Sequence, residues 1–148
     1  MKKMKNIAVI ILITLVGCNV VEIPPKGIVE GKVTIEPLCG FAQDSVSLAK
    51  GKNPCGMTNE EVNAIYGQYS IVLSNAGTNS IPQRKKLDRT GLFSFEAQEG
   101  DYNLNLESSI PNAFMFSAKE NIEKSVKILS SKTLYYEFSV NTGYPQKK

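Results

Sequence analysis

The chain has 148 residues, with 17 Lys and Arg against 14 Asp and Glu, three cysteines, no histidine and no tryptophan. Three of the cations (Lys2, Lys3, Lys5) fall within residues 1–17, which hold no acid, so residues 18–148 carry 14 charges of each sign. That balance removes the electrostatic basis for nucleic-acid binding, and the missing histidine removes the usual Ser-His and Cys-His nucleophilic arrangements.

At the amino end the lysines precede a ten-residue, predominantly apolar run, Ile7 to Val16. Such a run is too short to span a bilayer; a charged start, an apolar centre and small residues before a cut describe an export signal. Leu15-Val16-Gly17-Cys18 resembles the bacterial lipobox. The resemblance implies diacylglycerol on the Cys18 sulfur, cleavage after Gly17 and acylation of the new amino terminus, a covalent lipid being the only cofactor expected. It also implies a lipid-anchored protein of the cell envelope, on the periplasmic face of the outer membrane if the cell is Gram-negative, since Asn19 and not aspartate follows Cys18. The expected organisation is residues 1–17 as signal peptide, 18–26 as lipidated tether, 27–143 as a folded domain and 144–148 as a tail. Pro24-Pro25 suits a semi-extended tether, and a domain of this size buries enough surface for one core without metal staples.

Val29, Gly31, Val33 and Ile35 alternate with Glu30, Lys32, Thr34 and Glu36, the period of a half-buried strand, which Pro37 ends. Residues 38–57 read as loop, with Cys39 and Cys55 as a pair. Outside the cytoplasm such a pair is normally a disulfide, and a loop of this length gives roughly 3 kcal/mol in the chain-entropy picture. A metal site is the rival reading, though no histidine or third thiol completes a tetrahedron. Thr58-Asn59-Glu60-Glu61 forms a capping box for about two turns of helix, with Val62, Ile65 and Tyr66 on one face and Gly67 as the stop.

Tyr69 to Leu73 predicts a second strand, halted by the turn formers of residues 75–80. Gln83 to Leu87 predicts an exposed edge strand whose charges discourage pairing with neighbours. Asp88-Arg89-Thr90-Gly91 is a turn, with Asp88 bonding the following amides and Gly91 taking positive φ. Phe93, Phe95 and Ala97 alternate, Glu99-Gly100-Asp101 turns, and Tyr102, Leu104 and Leu106 alternate again. Residues 108–130 are compatible with a helix capped at Ser117 or with a strand through Val126 to Ile128 joined by Ser130-Ser131 to the last strand; the strand is preferred. Tyr136, Phe138 and Val140 define that last strand's inner face. Short strands at regular spacing make an all-β sandwich the expected class.

Gly31-Lys-Val-Thr-Ile, Pro37-Leu-Cys39, Pro54-Cys55, Asp88-x-x-Gly91-x-Phe93-x-Phe95, Gly100-x-Tyr102-x-Leu104 and Phe138-Ser-Val-Asn-Thr-Gly143 follow one another in this order. Together they resemble the carboxypeptidase regulatory-like, or prealbumin-like, domains of exported bacterial proteins. The resemblance implies a seven-stranded Greek-key sandwich with one short helix near the disulfide loop, used as an accessory module and not as a catalyst.

Several residue groups were candidates for chemistry. Glu96, Glu99 and Asp101 crowd one turn and would offer oxygens to calcium, although carboxylates at sheet turns are usually just solvated. Lys32, Asn141 and Glu107 would be the partners of an isopeptide bond of the kind found in collagen-adhesin domains, but the strand parity turns Lys32 and Glu107 away from the core. Ser47-x-x-Lys50 matches a penicillin-binding motif without its scaffold. Tyr66, Tyr135 and Tyr144 are read as surface aromatics with Tyr69 as a further candidate, ordinary amphipathic strand residues being the simpler reading.

A non-catalytic envelope module binding a protein or a cell-wall polymer is therefore the preferred function, with no metal and no catalytic residue. An inhibitor or immunity-type lipoprotein is the first alternative, and a small histidine-free envelope enzyme the second. The partner is expected at residues 39–66, with Lys50, Lys52, Glu60 and Glu61 as candidate contacts. The competing reading of that segment is a cover for the core with Val62 and Ile65 packed inward. The basic edge from Arg84 to Arg89 is the other candidate surface.

Overall fold

The alternation read in the first strand is the alternation of the structure. In β1 (Gly27–Glu36) every odd-numbered residue from Gly27 to Ile35 is buried, and the intervening ones are exposed or half-exposed. The computed structural model describes residues 25–39 and 55–143. Within them lie seven strands, one α-helix and one 3₁₀ turn. After β1 come α1 (Asn59–Tyr66), β2 (Tyr69–Asn75), β3 (Gln83–Lys86), β4 (Leu92–Ala97) and β5 (Gly100–Ser108). The 3₁₀ turn (Lys119–Asn121), β6 (Glu123–Ile128) and β7 (Thr133–Asn141) complete the chain.

The strands form two sheets, β4-β1-β7 and β3-β2-β5-β6. Every pair is antiparallel except β1 with β7, which run parallel from Ile28 opposite Thr133 to Glu36 opposite Asn141. The expected seven-stranded Greek-key sandwich with one short helix is thus the observed fold. Of the two readings for residues 108–130, the strand holds over Glu123–Ile128, while Ser117-Ala-Lys-Glu120 leads into a single 3₁₀ turn. Ser130 and Ser131 do join that strand to the last, but β6 and β7 lie in different sheets, so the link crosses the sandwich.

The inner faces meet in one core. Val29, Val33, Ile35, Phe93, Phe95, Phe138 and Val140 of the first sheet face Ile71, Leu73, Leu104, Leu106, Val126 and Ile128 of the second. Each such side chain contributes about 1.5–3 kcal/mol when fully buried. Phe93 and Phe138 meet edge to face at 5.8 Å, an arrangement favoured by the ring quadrupoles. Two glycines let backbones close in. A Cβ at Gly31 would lie 1.8 Å from the Tyr136 carbonyl oxygen, and one at Gly91 2.1 Å from that of Val33. Gly91 also has φ of +67°, which a side chain would strain.

The topology gives the sandwich two ends. β1 and β7 start, and β4 ends, at the Gly27 end, together with the start of β5 and the close of β2 and β6. At the opposite end are Pro37–Cys39, α1, the Asp88–Gly91 turn and residues 109–118. A ten-residue strand separates them, about 33 Å of extended chain.

Candidate functional site at the disulfide end

Cys39 and Cys55 form a disulfide, with Cα atoms 5.8 Å apart. It settles the choice left open between a bridge and a metal site. The bridge fastens the end of β1 to the start of α1. Between β1 and the bridge, Thr142 Oγ1 donates to the Pro37 carbonyl at 2.5 Å and the Thr142 amide donates to that of Glu36 at 3.2 Å. Phe116 packs on Gly143, so that residues 37–39, 114–117 and 141–143 share one corner.

The capping box reads through directly. Thr58 Oγ1 accepts from the Glu61 amide at 3.2 Å, and the Glu61 carboxylate accepts from the Thr58 amide at 2.7 Å. Val62 and Ile65 pack against the core, Tyr66 enters it, and the helix closes at Gly67. The helix is tied to the next turn as well. Asn63 Oδ1 accepts from the Arg89 amide at 3.1 Å, and Arg89 donates to Asn59 Oδ1 at 3.2 Å. Within that turn Asp88 Oδ1 accepts from the amide and the hydroxyl of Thr90, and those two bonds hold its carboxyl below the ordinary carboxylate range.

Two tyrosines expected on the surface are inside. Tyr66 is 8 % exposed and Tyr69 2 % exposed. Tyr66 is accommodated there because the Ile35 amide donates to its oxygen at 3.3 Å. Tyr69 lies against Phe114, ring centroids 6.1 Å apart. Burial raises the pKa of both phenols, opposed by the hydrogen bond from Ile35 at Tyr66 and from Ser108 at Tyr69. Tyr135, by contrast, is exposed as expected.

Of the four charged residues expected to contact a partner, Glu60 is exposed on the first turn of α1, and Glu61 is committed to the cap. Lys50 and Lys52 lie outside the described residues, as do Cys18, Ser47 and Tyr144. The basic edge is present on β3, with all four of its residues exposed. Arg84 pairs with Glu107 at 2.6 Å across β2, and both line a shallow polar cleft of about 300 Å³ with Gln68, Ser70, Lys86 and Ser109.

The carboxylates near the Gly27 end do not converge. Glu96 pairs with Lys26 at 3.8 Å, and Glu99 accepts from the amide and hydroxyl of Ser130 at 3.4 and 3.1 Å. Among the described residues no group of three or more His, Cys, Asp or Glu is placed to hold a metal ion. The isopeptide candidates are also apart, because Lys32 stands opposite Glu137, Asn141 opposite Glu36, and Glu107 belongs to the other sheet. Sequence reasoning missed the segment 109–118, where Ile110, Ala113 and Phe114 pack against the core and leave Met115 and Phe116 66 % and 58 % exposed. Its run Ala-Phe-Met-Phe was the available signal, but the run has no helix or strand period to interpret.

No family model matches the chain, and no curated protein is similar to it. Solved structures share its outline. A minor pilin of the Gram-positive pathogen Streptococcus agalactiae superposes with a TM-score of 0.47 at 13 % identity, over 84 % of this chain and 48 % of the pilin structure. A DUF3823 family protein from Parabacteroides merdae gives 0.44 at 14 % identity, over 79 % of this chain and 46 % of its own. One from Bacteroides uniformis gives 0.41 at 15 %, over 78 % and 43 %. The chain spans about half the length of these structures, and the likeness is one of fold alone.

Proposed function

We propose that the protein is a lipid-anchored envelope module, non-catalytic, which presents the disulfide end of its sandwich to a protein or cell-wall partner. One observation carries the reading. β1 begins at Gly27, where the tether would enter, and ends at Pro37–Cys39, so an anchor at Cys18 and the disulfide-bearing segment belong to opposite ends of the domain. Anchoring at one end leaves the other facing away from the membrane. The long connections gather there, and loops on a rigid scaffold are where recognition concentrates. The disulfide and the capping box limit the entropy lost when such a segment is ordered on a partner. The lipobox-like Leu15–Cys18 supports the anchor, and the run of motifs similar to carboxypeptidase regulatory-like domains supports an accessory role. An inhibitor or immunity-type lipoprotein would use the same design and differ only in its partner.

Metabolic labelling with palmitate tests the anchor: the wild type takes up label and Cys18→Ser does not, whereas equal labelling contradicts it. Detergent-solubilised envelope passed over the Cys18→Ser form tests the display. One stoichiometric envelope protein supports the module, and a captured exogenous hydrolase supports the inhibitor. Reversing the charges of Lys50, Lys52 and Glu60 weakens that capture without moving the melting temperature; Glu61 is left intact because its loss would uncap α1.

A further inference from the structure

Four strands border the two sheets, and they are not equally protected. β3 is four residues long and carries Arg84, Lys85 and Lys86; β6 carries Glu123, Lys124 and Lys127; β4 has six residues and one charge, Glu96, whose carbonyl accepts from Gln83 Nε2 at 3.1 Å. Short, charged strands are the usual means of keeping an edge from recruiting another chain. β7 is different. It has nine residues, no proline and a single charge, Glu137.

The parallel register fixes which of its backbone groups are engaged. The Ile28 amide donates to the Lys132 carbonyl at 2.8 Å and the Thr142 amide to the Glu36 carbonyl at 3.2 Å. Amides of even-numbered residues therefore point to β1, and those of Thr133, Tyr135, Glu137, Ser139 and Asn141 point to the open side. Among the described residues the one hydrogen bond reaching that side is from the Asn141 amide to Ser117 Oγ, 2.9 Å, and the 3₁₀ turn Lys119–Asn121 packs beside the strand, with Lys124 Nζ 5.8 Å from the centroid of the Phe138 ring. The core side of the strand also thins toward the Gly27 end. Phe138 and Val140 are buried, whereas Leu134 and Tyr136 are only partly covered, although Val29 and Gly31 opposite them on β1 are buried.

We infer that the open edge of β7 from Thr133 to Ser139 accepts an extended segment of another protein as an added strand, with a basic residue opposite Glu137. Backbone pairing supplies affinity in such additions, and alternate side chains supply selectivity. The neighbour on the other side already shows the preferred charge pairing, since Lys32 of β1 stands opposite Glu137. A second copy of this chain fits poorly. Antiparallel overlap of the full strand would set Glu137 against Glu137, and like charges directly opposite are destabilising. It would also send the two Gly27 ends in opposite directions, which two copies anchored in one membrane do not allow; that second point rests on the anchored reading.

The test uses the unlipidated Cys18→Ser protein and a synthetic nine-residue peptide alternating threonine and valine, with lysine at its centre. Hydrogen exchange followed residue by residue should show the Tyr135, Glu137 and Ser139 amides slowed by the peptide and those of β3 unchanged. A glutamate-centred peptide should bind about fivefold more weakly, and the Glu137→Lys variant should reverse that preference. Glu137→Pro should abolish binding, because its amide takes no part in the ladder to β1; Glu137→Lys keeps every backbone donor and tests the same edge if the proline variant is poorly folded. Absence of protection, protection at β3, or a charge preference that Glu137→Lys leaves unchanged would overturn the inference. So would a concentration-dependent dimer lost in Glu137→Pro, which would assign the edge to a second copy. None of these readouts depends on lipid.

Discussion

At the Gly27 end the crossings between sheets are short: two residues link β4 to β5, and four link β6 to β7. They are held by small contacts such as Glu99 with Ser130 and the Ser131 amide with the Lys26 carbonyl. At the disulfide end, residues 37–68 join β1 to β2 and residues 109–122 join β5 to β6. Those segments are fastened by a disulfide, a capped helix, Tyr66 set into the core, and Phe114 packed against Tyr69 of β2. The difference teaches where the fold tolerates elaboration. At the Gly27 end the crossings between sheets are brief and the one longer connection, residues 76–82, joins neighbouring strands of one sheet, whereas the other end carries added chain that is stabilised separately.

Substitutions at the two ends sharpen the contrast. The largest effect is expected from Cys39→Ala/Cys55→Ala, which should lower unfolding stability by roughly 3 kcal/mol in denaturant titration. Its β-rich circular dichroism should persist, since the sheets do not depend on the bridge. Tyr66→Phe should cost about 1 kcal/mol by leaving the Ile35 amide without its acceptor. The same change bears on alkaline unfolding. Because the folded pKa of Tyr66 is raised above 10.0, the neutral phenol's contribution is complete below that value and is lost as pH climbs through the folded pKa. Tyr66→Phe should therefore flatten the alkaline limb of the stability profile. At the other end, Glu99→Ala should cost no more than about 0.5 kcal/mol, its bonds to Ser130 being exposed. A larger loss there than at Tyr66 would erase the distinction between the ends.

Much of this was legible in the chain. Period-two alternation located the inner faces of β1, β4, β5 and β7, and the spacing from Thr58 to Glu61 located the helix start. Both signals are local, needing only the geometry of one element. The parallel pairing of β1 with β7 was not legible, because it depends on which strands cross the sandwich. The open β7 edge follows from that pairing and was hidden with it. Tyr66 and Tyr69 were misplaced for a related reason. Their burial requires partners from β1 and from residues 109–118, which are distant in sequence and lack a periodic signature. Arg84 to Lys86 succeeded as an edge because charge density alone marks one.

The central claim is that the domain stands on its Gly27 end with the disulfide end outward. It can be measured on lipidated protein in vesicles carrying an acceptor dye in the headgroup region. Donor dyes are attached singly at Gln98, in the turn between β4 and β5, or at Glu60, on α1; both residues are exposed. The account predicts strong energy transfer from the Gln98 position and much weaker transfer from the Glu60 position, consistent with ends about 33 Å apart. Equal transfer from both, or stronger transfer from Glu60, would contradict it.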